Sequence, residues 1–150
     1  MARGDWVTFE EFSLDVGSKV HDLANDTLYL LLINNSTAPI AADATPRLAD
    51  YVGNEVDSTS GGYSANGIAL TSSGYTEDGG VSTLDDAGNI SLAQDGSGFS
   101  NAYWGVLYNG TAAADQAIGY LDLGGPVSEV AGAITITWNA SGITTVTVDS

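Results

Sequence analysis

The stretch AYWGVLYNGTAAADQAIGYLDL, residues 102–123, decides the fold class. Residues 102–108 are apolar and aromatic, Asn109-Gly110 is a dipeptide that readily reverses a chain, and residues 117–123 are apolar again. Aromatic and β-branched side chains on both sides of such a turn suit the pleated surface of a sheet better than a helix. The same grammar continues in both directions. Upstream, residues 81–84 and 90–92 flank Asp86-Ala87-Gly88-Asn89, and Asp95-Gly96-Ser97-Gly98 follows. Downstream, residues 133–138 and 143–148 flank Asn139-Ala140-Ser141-Gly142. Ile134, Ile136 and Trp138 alternate with Thr135 and Thr137, which gives that strand one wet face, and its expected partner is the strand at 143–148. Short strands at this spacing predict a sandwich or barrel, not a parallel α/β sheet.

The first half is less regular. Residues 27–34 are apolar on both faces and read as a buried, central strand. Thr8 and Glu11 have capping-box spacing, and Phe9, Phe12, Val16 and Val20 recur at helical intervals. These predict a helix over 8–20, weakened by Gly17, with a strand over 7–16 as the competing reading. Residues 35–82, with Pro39, Pro46 and a Ser-Gly-rich run at 57–64, read as loops with short strands between, the best of them at 68–70. The expected architecture is mainly β: an antiparallel β-sandwich, jelly-roll-like or barrel-like, forming a single domain over 8–150. It carries one short N-terminal helix and is preceded by an N-terminal arm at 1–7.

Composition sets the outer bounds. With 150 residues, 43% apolar and 15% charged, the chain is of ordinary domain size and too apolar to be disordered. The absence of cysteine removes disulfides, thiolate metal sites and a cysteine nucleophile. Neither an export signal nor a membrane span is expected, because no basic start leads into an apolar stretch and no apolar run approaches eighteen residues. Only Arg3, Lys19 and Arg47 carry fixed positive charge against 19 Asp and Glu, for a formal net charge of −16. From Leu48 onward twelve carboxylates stand with no Lys or Arg. Nucleic acids and anionic lipids are gripped through Lys and Arg, so neither is an expected partner.

Catalytic chemistry finds little foothold. The single histidine, His21, has no nucleophile elbow to serve and reads as a hydrogen-bonded structural residue or a solvated one. Two carboxylates could form a glycosidase pair, but nineteen acids produce close pairs by chance. Asp85-Asp86 with Asn89, and Asp95 with Gly96 and Gly98, offer oxygen ligands of the kind Ca²⁺ prefers, yet they miss the spacing of a calcium loop and read as β-turns. The glycine-rich run from Gly61 to Gly67 lacks the lysine of a phosphate loop. No catalytic residue, metal or cofactor is expected. Tyr103, Trp104, Tyr108 and Tyr120 read as core more than as a platform for sugars.

Several blocks, in order, resemble one family. Val20-His21-Asp22-Leu23, then Asp26-Thr27-Leu28 leading into Leu30-Leu31-Leu32-Ile33-Asn34, resembles the opening of small virion structural proteins of tailed bacteriophages. The Gly62-Tyr63 turn with Gly67, the block from Tyr103 to Thr111, the block from Ile118 to Gly124, and Thr135-Ile136-Thr137-Trp138 are similar to that family's later blocks. The chain departs from the pattern at Gly67, where the family tends to carry paired glycines after the tyrosine. The resemblance spans residues 8–148 and implies a noncatalytic virion component. It further implies a decoration, or cement, protein that binds the major capsid protein on the head exterior, often as a homotrimer, and is made in the host bacterial cytoplasm. The expected interface residues are Trp6, Phe9, Phe12, Tyr63 and Trp104. The alternatives are a tail or fibre component, and a carbohydrate-binding or Ca²⁺-dependent module.

Overall fold

The computed structural model describes residues 4–71 and 73–148. Strand makes up 38% and helix 9%, which places the chain in the mainly β class with antiparallel sheets, consistent with a sandwich-like domain. Strand β1 (Trp6–Thr8) precedes helix α1 (Phe12–Gly17), strand β2 (Leu28–Ile33) and a short helix α2 (Leu48–Tyr51) that runs into a 3₁₀ turn at Val52–Asn54. Then come β3 (Ile68–Ala69), β4 (Ser73–Asp78), β5 (Val81–Asp86), β6 (Ile90–Leu92), β7 (Ala102–Asn109), β8 (Ala117–Val127), β9 (Ile134–Ile136) and β10 (Thr144–Thr147).

A five-stranded sheet of order β1-β8-β7-β2-β3 is the centre of the structure. β2 shows why. Leu28, Leu30 and Leu32 point into one core, Leu31 and Ile33 into another, and all five are at most 1% exposed. Burial of each such side chain stabilises the fold by about 1.5–3 kcal/mol. Across the larger core lie a three-stranded sheet, β10-β5-β4, and a two-stranded one, β6-β9, which supply Leu84, Ile90, Leu92 and Ile136. The opposite face is closed by Phe9, Tyr51 and Leu48.

The hairpin of β7 and β8 forms as its residues predict, with Val106 opposite Tyr120 and Leu107 opposite Gly119. Two expectations fail. The strand at Ile134–Ile136 pairs with β6, and β10 pairs with β5, so the expected hairpin between them is absent. Trp138 is drawn elsewhere: its Nε1 donates to Asp86 and its ring meets Trp6 edge-on, while Ile143 N–H donates to Leu84 O and starts β10 beside β5.

The helix predicted over 8–20 shrinks to six residues. Val7 and Thr8 are taken by the ladder to β8, and Thr8 Oγ1 meets Thr144 Oγ1 at 2.7 Å in place of capping a helix. At the other end Val20 N–H donates to Asp15 O and Lys19 N–H to Val16 O, with Lys19 at φ 60. That is the bond pattern of a Schellman stop, built here on a lysine. Of the expected arm at 1–7, residues 1–3 lie outside the described residues, and Trp6 and Val7 belong to β1.

β4 lies in the stretch read as loops with short strands between, at a place the sequence did not single out. Its hairpin to β5 turns on Gly79 and Gly80, at φ 60 and 86, the left-handed pair that a two-residue hairpin turn demands.

Candidate functional site

The five aromatic residues expected at a partner interface do not share one surface. Phe9, Phe12 and Tyr63 are 2%, 4% and 3% exposed, so they build the cores and offer no contact area in the folded chain. Trp6 and Trp104 are half-buried. Trp6 packs edge-on against Trp138 with ring centres 6.0 Å apart, and Trp104 packs edge-on against Tyr120 at 6.1 Å while its Nε1 donates to Asn35 Oδ1 at 3.2 Å.

Buried polar side chains instead tie distant loops together. β3 pairs with only Tyr29 and Leu30 of β2, and the rest of that edge is completed from elsewhere. Tyr63 Oη accepts the Leu32 N–H at 3.0 Å and donates to Glu55 Oε1 at 2.9 Å, and Glu55 Oε1 also accepts the Asn66 N–H at 2.7 Å. Val56 N–H donates to Leu32 O. Tyr108 Oη donates to Asn66 O at 2.5 Å, and burial first, then the Asp115 charge, pushes its pKa up to about 12. Burial likewise pushes the Tyr63 pKa up, so both hydroxyls keep their protons as donors.

Glu129 is fully buried, a residue type almost never found there. Its Oε1 accepts the Gly62 N–H at 2.7 Å, and its own N–H and O bond Phe99 O and the Asp95 N–H. The carboxyl lies against Gly61 and Gly98, where an added Cβ would overlap it. Its Oε2 has no hydrogen-bond partner among the described residues. One side chain thereby fastens residues 61–62 to residues 95–99. No motif announces this; the only trace in the sequence is glycine at each place the carboxyl passes.

The third tie centres on Asn109. Its Oδ1 accepts the N–H groups of Thr111 and Ala112, which orients its Nδ2 towards Asp26 Oδ2 at 2.6 Å and His21 Nδ1 at 3.1 Å. His21 Nδ1 is therefore an acceptor, and the ring proton sits on Nε2, which faces Asp15 Oδ2 at 3.8 Å. Burial holds the His21 pKa below its ordinary value against the pull of Asp26, and burial raises that of Asp15. Of the two sequence readings of His21, structural or solvated, this buried setting matches the structural one.

The acidic turns make local bonds. Asp95 Oδ1 accepts the Ser97 N–H at 2.8 Å, Asp86 Oδ1 accepts the Gly88 N–H at 3.3 Å, and Asp86 is buried. Among the described residues no three His, Cys, Asp or Glu side chains stand close enough to hold a metal ion. No helix among them is long and apolar enough to cross a membrane. Arg3 lies outside the described residues, Lys19 is exposed, and Arg47 meets Asp50 at 4.0 Å in solvent, a contact worth little. Asp57, Glu77, Asp78 and Asp95 are exposed with no cation later than Arg47 in the chain to meet them.

Compared with protein-family models, with curated proteins and with solved structures, the chain matches none.

Proposed function

We propose that this protein is a noncatalytic structural component of a tailed-phage virion that binds the outside of the capsid as a decoration protein and stabilises the head. One observation carries most weight: the buried polar side chains Glu129, Asn109 and Tyr63 are each spent on fastening loops, Glu129 to another loop and Asn109 and Tyr63 to the central sheet. A surface that must dock on a shell gains affinity when its loops are ordered beforehand, because the cost of ordering them is not met at binding. The ordered blocks that resemble small virion proteins support the same reading, and so does the acidic surface, which favours the shell exterior over contact with packaged DNA.

Purified protein should co-sediment with expanded heads assembled from its phage's major capsid protein, and should raise their melting temperature. Heads that neither bind it nor gain stability would remove the decoration reading.

A further inference from the structure

We propose that the outer edge of β4 takes an extended, basic segment of another protein as a fourth strand of the β10-β5-β4 sheet. β4 ends that sheet. Asp78 and Val81 close the two-residue turn, so by antiparallel alternation Gly74, Thr76 and Asp78 direct their backbone groups at β5, while Tyr75 and Glu77 direct theirs outward. Those outward groups find no backbone partner among the described residues, and Thr76, Glu77 and Asp78 are exposed. An edge of this kind is a template for another strand.

Two features define the occupant. Beside Tyr75 lies a cavity of about 330 Å³ lined by Val16, Leu23 and Ala24 together with Lys19, His21 and Asp22, whose apolar part suits one apolar side chain of the incoming strand. Beyond Tyr75 the edge carries Glu77 and Asp78, and no Lys or Arg follows Arg47 in the chain. A second copy of this edge carries the same Glu77 and Asp78 and no cation of its own, whereas Lys or Arg on the occupant would complement them. The partner is therefore an extended segment with one apolar residue at the Tyr75 end and basic residues beside Glu77 and Asp78. This inference is independent of the capsid reading, since it specifies the partner's chemistry whatever the partner is.

The test uses the whole chain and two blocked hexapeptides, one with a single Val separated by one Thr from consecutive Lys residues and one with Glu in place of the Lys, followed by backbone amide exchange. The basic peptide should slow exchange of the Tyr75 and Glu77 amides by about tenfold. The acidic peptide should leave them unchanged. Replacing both Glu77→Lys and Asp78→Lys should weaken the basic peptide by about tenfold, and Tyr75→Pro, which removes one outward N–H and leaves the ladder to β5 intact, should abolish its effect at Glu77. Equal protection by both peptides would overturn the proposal. So would protection that spares Tyr75 and Glu77, or an affinity indifferent to the paired charge reversal, a variant that decides the matter even if the proline variant does not fold.

Discussion

The side-chain amide of Asn109 donates to Nδ1 of His21 at 3.1 Å, and this contact makes a neutral imidazole part of the folded structure. A proton arriving at Nδ1 would meet an N–H already pointing there. Burial also lowers the His21 pKa below 6.5, so the unfolded chain binds the proton more readily than the folded one. The stability tied to neutral His21 is complete above that value and declines as the pH falls through it. Asp15, raised by burial, acts in the opposite sense: its contribution is present below 3.8 and is lost as pH rises through its folded value. Melting temperature should therefore fall between about pH 7.5 and about pH 5.5, and His21→Gln, which can still accept from Asn109, should flatten that slope. Equal slopes in the two proteins would refute the assignment.

Glu129 can be tested by subtraction and by crowding. Glu129→Ala strands the Gly62 N–H and opens a hole, and should cost about 2–4 kcal/mol in urea unfolding. Glu129→Gln keeps an acceptor for Gly62 and should cost less. Gly98→Ala drives a methyl group into the carboxyl and should cost about 1–3 kcal/mol. An alanine at 129 as stable as wild type would show that the loops need no such fastening.

Tyr63→Phe removes one hydroxyl and two hydrogen bonds while leaving the ring in place against Phe99. The expected loss is about 1–2 kcal/mol, with faster exchange at the Leu32 amide. Unaltered protection at Leu32 would mean that water replaces the hydroxyl at no cost.

Much of this sheet could be read from side-chain pattern alone. β2 was legible because Leu28 to Ile33 is apolar at every position, which only a strand buried on both faces requires. β7 and β8 were legible from their shared turn. β4 was not: of Ser73 to Asp78 only Tyr75 packs on the core, so neither period 2 nor apolar content marks it, and Gly79-Gly80 was its sole signal. The partners of β9 and β10 were misread because local turn chemistry cannot register that Trp138 bonds Asp86, 52 residues away. The site was harder still. Phe9, Phe12 and Tyr63 have the chemistry of interface anchors, and only their burial reveals that the fold consumes them. Glu129 was invisible because its partners lie 31 to 68 residues upstream, at glycines that also read as ordinary turns.

The charge imbalance predicts a salt response. With a formal net charge of −16 and few cations for pairing, self-repulsion opposes the compact state, and salt screens it over a length that falls from about 10 Å at 0.1 M to about 3 Å at 1 M. Melting temperature and self-association should both rise over that range. A flat or falling melting temperature would contradict this, and would mean that the carboxylates are already too dispersed to repel.

The head-decoration proposal is most directly tested by location. Labelled electron microscopy of virions that carry this chain should place it on the outer surface of the head, spread over the shell. Label confined to the tail or its fibres, or none on the virion at all, would contradict that claim and leave only the β scaffold and its loop ties standing.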